Sequence, residues 1–98
     1  MGADILLLDL QAITVIADYF VIATAESTRQ LRAIREDLAQ TMKNEHGIPA
    51  LASEGTDDSG WLLLDYGSVV VHLFSPEQRT KYDLETLWGE ARTVVRIA

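Results

Sequence analysis

Residues 61 to 74 constrain the fold more than any other part of this chain. They read W-L-L-L-D-Y-G-S-V-V-V-H-L-F, two apolar runs of strand length on either side of Asp65-Tyr66-Gly67-Ser68. A connection that short leaves no room for a crossover, so the two runs must pair antiparallel. Ser75-Pro76-Glu77-Gln78 follows directly. Ser75 can accept from a free N–H of the next helix, Pro76 suits its first position, and Gln78 completes a capping box. Asp83 can cap again for a short turn over 84–88, and Gly89 ends it.

The preceding half supplies the remaining sheet. Residues 4–10 form a short apolar run, and 18–25 form a second that is rich in aromatic and β-branched residues. Ser27 and Gln30 have capping-box spacing, and Leu31, Ile34, Leu38 and Met42 then repeat at helical spacing, so one stripe faces a core. Gly47 suits a left-handed stop, and Pro49 prevents continuation. Residues 50–54 read as a third strand, and Thr56-Asp57-Asp58-Ser59-Gly60 as a turn. Residues 90–98 carry no clear anchor and read as a helical extension or a frayed tail. The strand–helix–strand unit over 18–54 calls for a right-handed parallel crossover. The expected architecture is one α/β (α+β) domain over 1–98, with helices on a mixed five-stranded sheet whose last three strands form an antiparallel meander.

The order of these segments resembles the ribosomal silencing factor family (RsfS, also called Iojap). The resemblance rests on Ala17-Asp18-Tyr19-Phe20-Val21-Ile22-Ala23-Thr24, Glu54-Gly55, the hairpin, and the segment ending on Trp88-Gly89. It implies a nucleotidyltransferase-like topology without the catalytic site. It also implies a translation regulator that binds the large ribosomal subunit through large-subunit protein number fourteen. Such a regulator blocks joining of the small subunit sterically and represses translation when nutrients are scarce. The resemblance further implies a homodimer. Members of the family usually open on a helix before the first strand, whereas this chain opens almost directly on that strand. A sheet face left less covered for that reason would favour self-association.

Composition narrows the chemistry. The chain holds 15 acidic against 8 basic residues, a net charge of −7. Neutralising a nucleic-acid backbone needs a cationic face, so direct sequence-specific nucleic-acid binding is not expected. The charges are segregated, with Arg29, Arg32, Arg35 and Lys43 together on the first helix. Acidic segments on either side of that helix favour a basic partner, or serve only as a solvated face. Cysteine is absent, which removes disulfides and thiolate chemistry. No apolar stretch approaches a membrane span, and Met1-Gly2-Ala3-Asp4 lacks the basic start of a signal peptide. The expected setting is bacterial cytoplasm, with a mature mitochondrial or plastid protein reading the same way.

Nucleotidyl transfer is the enzymatic alternative, and the residues argue against it. Thr24-Ala25-Glu26-Ser27 has no glycine where a turn would grip phosphate, and Glu26 repels a triphosphate. No Asp-x-Asp pair stands on a strand to hold metal. No cofactor, metal or catalytic residue is therefore expected, and titration with nucleotide and magnesium separates this reading from the first. A dimeric interaction module with another partner is the third reading. His72 in the last strand reads chiefly as a core or interface residue. Beside Glu54 or Asp65 it would instead have the makings of a general base. His46 and Lys43 complement the dipole at the end of the first helix.

Aromatic side chains dominate protein interfaces, and an apolar centre with an acidic rim suits a basic protein. On that ground the candidate partner-binding residues are Asp57, Asp58, Trp61, Asp65, Tyr66, Tyr82, Leu84, Glu85 and Trp88. Tyr82, Leu84 and Trp88 would form the apolar island, ringed by the carboxylates. The competing reading has Leu87 and Trp88 closing the core beneath the sheet.

Overall fold

The computed structural model describes residues 3–56 and 58–98. The elements run β1 (Ala3–Asp9), β2 (Tyr19–Thr24), α1 (Thr28–His46), β3 (Ala52–Glu54), β4 (Trp61–Asp65), β5 (Val69–Phe74), α2 (Pro76–Tyr82), α3 (Leu84–Leu87) and β6 (Arg92–Ile97). The strands form one six-stranded sheet in the order β3-β4-β5-β2-β1-β6. Among the described residues, only β2 and β5 pair parallel. The meander β3-β4-β5 is antiparallel, as the short hairpin connection requires. The crossover through α1 does not make neighbours of β2 and β3, because β5 and β4 lie between them.

The sixth strand corrects the reading of residues 90–98 as a tail or helical extension. Arg92–Ile97 pairs antiparallel with β1, matching Ile5 to Ile97 and Leu7 to Val95. Thr93, Val94, Val95 and Ile97 have β propensity, but all of β6 is exposed, so its sequence shows no burial pattern. The free edge of β1 is what orders it. Arg92 adds an ion pair to Asp9 at 3.0 Å.

Local signals worked where a side chain meets its own backbone. Ser27 Oγ accepts from Gln30 N–H at 3.1 Å, while Gln30 Oε1 reaches back to accept from Glu26 N–H at 3.0 Å. Ser75 Oγ accepts from Gln78 N–H at 3.2 Å ahead of Pro76. Gly47 ends α1 in the left-handed region. Asp83 behaves differently from expectation. It has φ +47° and makes no side-chain cap, so the break between α2 and α3 is a backbone kink.

Two cores sandwich the sheet. On one face α1 lays Leu31, Ile34 and Leu38 over Ala23, Leu62, Leu64, Val71 and Leu73. On the other, Leu6, Leu8, Phe20, Ile22, Val70 and Phe74 pack with Leu84, flanked by Trp61 and Trp88. Alternation along each strand divides the residues between the faces.

Gly55 is a tight point next to β4. It has φ +94°, and a Cβ there would stand 2.2 Å from the Trp61 carbonyl oxygen. Gly47 has φ +67° but open space around it. Gly55→Ala is therefore expected to cost about 3 kcal/mol or more, from backbone strain plus overlap. Gly47→Ala should cost only about 1 kcal/mol. Urea unfolding of both variants checks the difference, and equal losses would contradict it.

Candidate functional site

The face opposite α1 carries a row of aromatic rings that crosses the sheet from β4 to β2. Trp61 lies on Phe74 with ring centroids 5.1 Å apart and meets Tyr82 at 4.4 Å. His72 follows, 5.9 Å from Trp61 and 4.6 Å from Phe20. Trp88 closes the row edge-on to Phe20 at 5.7 Å. Strand alternation generates the row, since Trp61 sits on β4, His72 and Phe74 on β5, and Phe20 on β2, all on one side of the pleat. The ends of the row, Tyr82 and Trp88, come from the helical segment that follows β5.

His72 sits within this row, without the carboxylate that a general base would need. The register pairs it with Ile22 and Leu63, and neither Glu54 nor Asp65 bonds to it. Its Nδ1 accepts from the Trp61 indole N–H at 3.2 Å, which places the proton of the neutral ring on Nε2. Nε2 is buried with no acceptor among the described residues. Burial pushes the His72 pKa down to about 4, so the ring is neutral at physiological pH.

The nine sequence candidates separate into distinct environments. Trp61 and Tyr82 touch each other, and Tyr82 is 45% exposed. Trp88 belongs to the same row but at its far end. Asp58 is exposed in the turn before Trp61, where it accepts from Thr56 Oγ1 at 2.9 Å. Asp57 lies outside the described residues. Asp65 is at the other end of β4 and accepts from Gly67 N–H at 2.7 Å, holding the hairpin turn. Tyr66 packs on the α1 side with Val69 and Leu38, its hydroxyl buried without a partner among the described residues, and burial raises its pKa. Leu84 is core at 8% exposure, so it cannot head an exposed island. Glu85 is engaged by Arg79 at 2.8 Å and Arg96 at 3.7 Å.

Leu87 and Ile13 also belong to the site, and the sequence reading assigns neither to it. Leu87 is 71% exposed rather than closing the core, and with Ile13 and Trp88 it lines a hollow at the end of the row. Val15 and Ile16 in the β1–β2 loop are 103% and 68% exposed. The available signal was a set of β-branched residues, Ile13, Val15 and Ile16, lying outside any strand. At the Trp61 end, Glu54, Gly55, Trp61 and Leu63 line a cleft of about 240 Å³. Among the described residues, no group of His, Asp and Glu side chains is arranged to hold a metal ion.

The neutral burial of His72 gives a pH test. The unfolded chain takes up a proton on His72 near pH 6.5, and the folded chain resists until about 4. Stability is therefore full above 6.5 and falls as pH drops through that window, by about 3 kcal/mol at most. In urea melts at pH 7, 5.5 and 4.5, His72→Gln should lose correspondingly less stability than the wild type. Parallel losses would show that His72 titrates normally.

Comparison with known proteins matches the chain and its fold to a family. The family model described as "Ribosomal silencing factor during starvation" matches residues 1–97. The ribosomal silencing factor RsfS of Bacillus subtilis is 43% identical over 88 residues, spanning 90% of this chain and 74% of its own. The chloroplastic protein Iojap of Arabidopsis thaliana is 36% identical over 93 residues, spanning 95% of this chain and 38% of its own. A crystal structure of a Chromobacterium violaceum protein superposes with a TM-score of 0.83 at 37% identity, covering 99% of this chain and 82% of that one. A family match over nearly the whole chain, joined to the same fold, has one reading: the chain belongs to the ribosomal silencing factor family.

Proposed function

We propose that this protein represses translation by binding the large ribosomal subunit through large-subunit protein number fourteen, so that the small subunit cannot join. It acts as a steric block and not as an enzyme. The observation that carries this reading is the aromatic row with open ends, on a chain of net charge −7 that belongs to a silencing family. Tyr82, Trp61, Trp88 and Leu87 supply apolar anchors. Asp58 and the neighbouring carboxylates steer encounter with a basic ribosomal protein, a role that charge performs mainly through association rate. The setting is cytoplasm or an organelle derived from bacteria, and no described helix is long and apolar enough to cross a membrane.

The protein works as a homodimer in this proposal. Support comes from the α1 side of the sheet beyond the helix, where Val95 and Ile97 stand opposite Leu7 and Ile5 and are 42% and 54% exposed. An apolar strip of this kind favours self-association.

Co-sedimentation with purified subunits tests the proposal. The protein should pellet with large subunits and not with small ones, and adding it before mixing should reduce the yield of joined ribosomes. Equal pelleting with both, or with neither, would overturn it. Light scattering on the free protein should give twice the mass of one chain, and the mass of a single chain would remove the dimer.

A further inference from the structure

The cleft at the Trp61 end of the aromatic row has a composition of its own. Leu63 forms an apolar side, the Trp61 indole a second wall, and Glu54 brings a carboxylate, with Gly55 between. Glu54 and Leu63 are cross-strand partners, and Trp61 lies two residues before Leu63, so all three side chains share one face. Gly55 is what lets the chain turn this close to β4, because any side chain there would strike the Trp61 backbone. Glu54 is exposed and makes no hydrogen bond or ion pair with any described residue. Of the carboxylates on the flanking turns, Asp58 is bonded to Thr56, and Asp65 holds its own turn at the far end of β4.

The indole is fixed before any partner arrives. His72 Nδ1 holds its N–H, Phe74 supports it, and Tyr82 lies against it. A fixed aromatic wall, an apolar side and one free carboxylate suit a cationic side chain on an apolar stem, and a planar guanidinium better than a compact ammonium. A guanidinium stacks its plane on an aromatic ring, packs its methylene stem on apolar surface, and bonds a carboxylate with its edge. A neutral apolar side chain would leave Glu54 unused, and an acidic one would be repelled by it.

We propose that this cleft receives one arginine side chain of the basic ribosomal partner, with Trp61 as the stacking wall, Glu54 as the counter-charge and His72 as the residue that positions the indole. This inference rests on the proposed function and adds the chemistry of one contact to it. Specificity follows from the pairing, since a partner with a neutral residue at that point forfeits both the stacking and the ion pair.

Two measurements test it. In the first, the free protein is titrated with N-acetyl-arginine amide, and with the citrulline amide as its neutral isostere, while the indole ¹⁵N–¹H signals are followed. The Trp61 signal should move with arginine and stay with citrulline, and Glu54→Gln should abolish the movement. In the second, large-subunit affinity is measured for three proteins. Glu54→Gln should weaken binding about fivefold. Glu54→Lys should weaken it about tenfold or more, because a like charge then faces the guanidinium. Glu54 is exposed on an edge strand, so these variants keep the fold. A Glu54→Lys variant that binds as well as wild type, or equal shifts with arginine and citrulline, would overturn the cleft. If wild type binds no large subunit, the proposed function fails, and the arginine titration alone then decides whether the cleft takes a guanidinium.

Discussion

A single buried guanidinium holds the helical segment after β5 to the sheet. Arg79, 7% exposed, donates from Nη1 to the Asp4 carbonyl and, at 2.8 Å, to Thr24 Oγ1. Its Nε donates to Glu85 at 2.8 Å, and Nη2 lies 3.6 Å from the Asp4 carboxylate. Arg96 joins from β6 through Asp4 and Glu85. One side chain of α2 therefore ties β1, β2, α3 and, through shared carboxylates, β6. Leaving such a buried group without its partners costs about 3–5 kcal/mol. Tyr82 and Trp88 are set by this joint, because α2 and α3 carry them. The two ends of the aromatic row keep their places relative to Trp61 only while Arg79 holds the segment down.

The sheet makes the rest possible by dividing labour between its faces. The α1 face is sealed over β4 and β5 by an aliphatic stripe, with the Tyr66 hydroxyl buried beside it. The opposite face is covered by two short helices and by Leu10 and Ala17 of the β1–β2 loop, which leaves a cleft at one end of the row of rings and a hollow at the other. Rings suit that half-covered state, since they bury much area while still presenting an edge or a face to a partner. His72 is the exception in chemistry and fits in logic. Placed among rings and held neutral by burial, it serves as the acceptor for the Trp61 indole, so the indole at that end of the row is oriented by a hydrogen bond as well as by packing.

Family membership and the site meet at this surface. Relatives such as RsfS of Bacillus subtilis carry names that speak of ribosomal silencing, and the exposed groups at the two ends of the aromatic row are aromatic, apolar and acidic. That combination is suited to a basic protein surface, and it differs from the glycine turn and paired carboxylates that nucleotide chemistry demands.

The sequence by itself determined most features that depend on a few adjacent residues, the kink at Asp83 excepted. The caps at Ser27 and Ser75, the stop at Gly47, the tight hairpin over Gly67 and the helical stripe from Leu31 are all written within one or two turns of chain, and each has a local hydrogen-bonding or steric cause. Resemblance in the order of landmarks was enough to reach the family. Tertiary structure alone decided what depends on neighbours distant in sequence. β6 exists because β1 offers a free edge 83 residues away from Arg92, as the Arg92–Asp9 pair marks. Glu85 looks like a rim carboxylate until Arg79 and Arg96 engage it, and Leu84 looks exposed until the sheet closes over it. Tyr66 and Trp61 share a hairpin yet face opposite sides, since alternation and the turn set side-chain direction and chain proximity does not. The Trp61–His72 bond spans two strands, and no spacing rule along one strand can report it, because pairing register is fixed only when the whole sheet assembles.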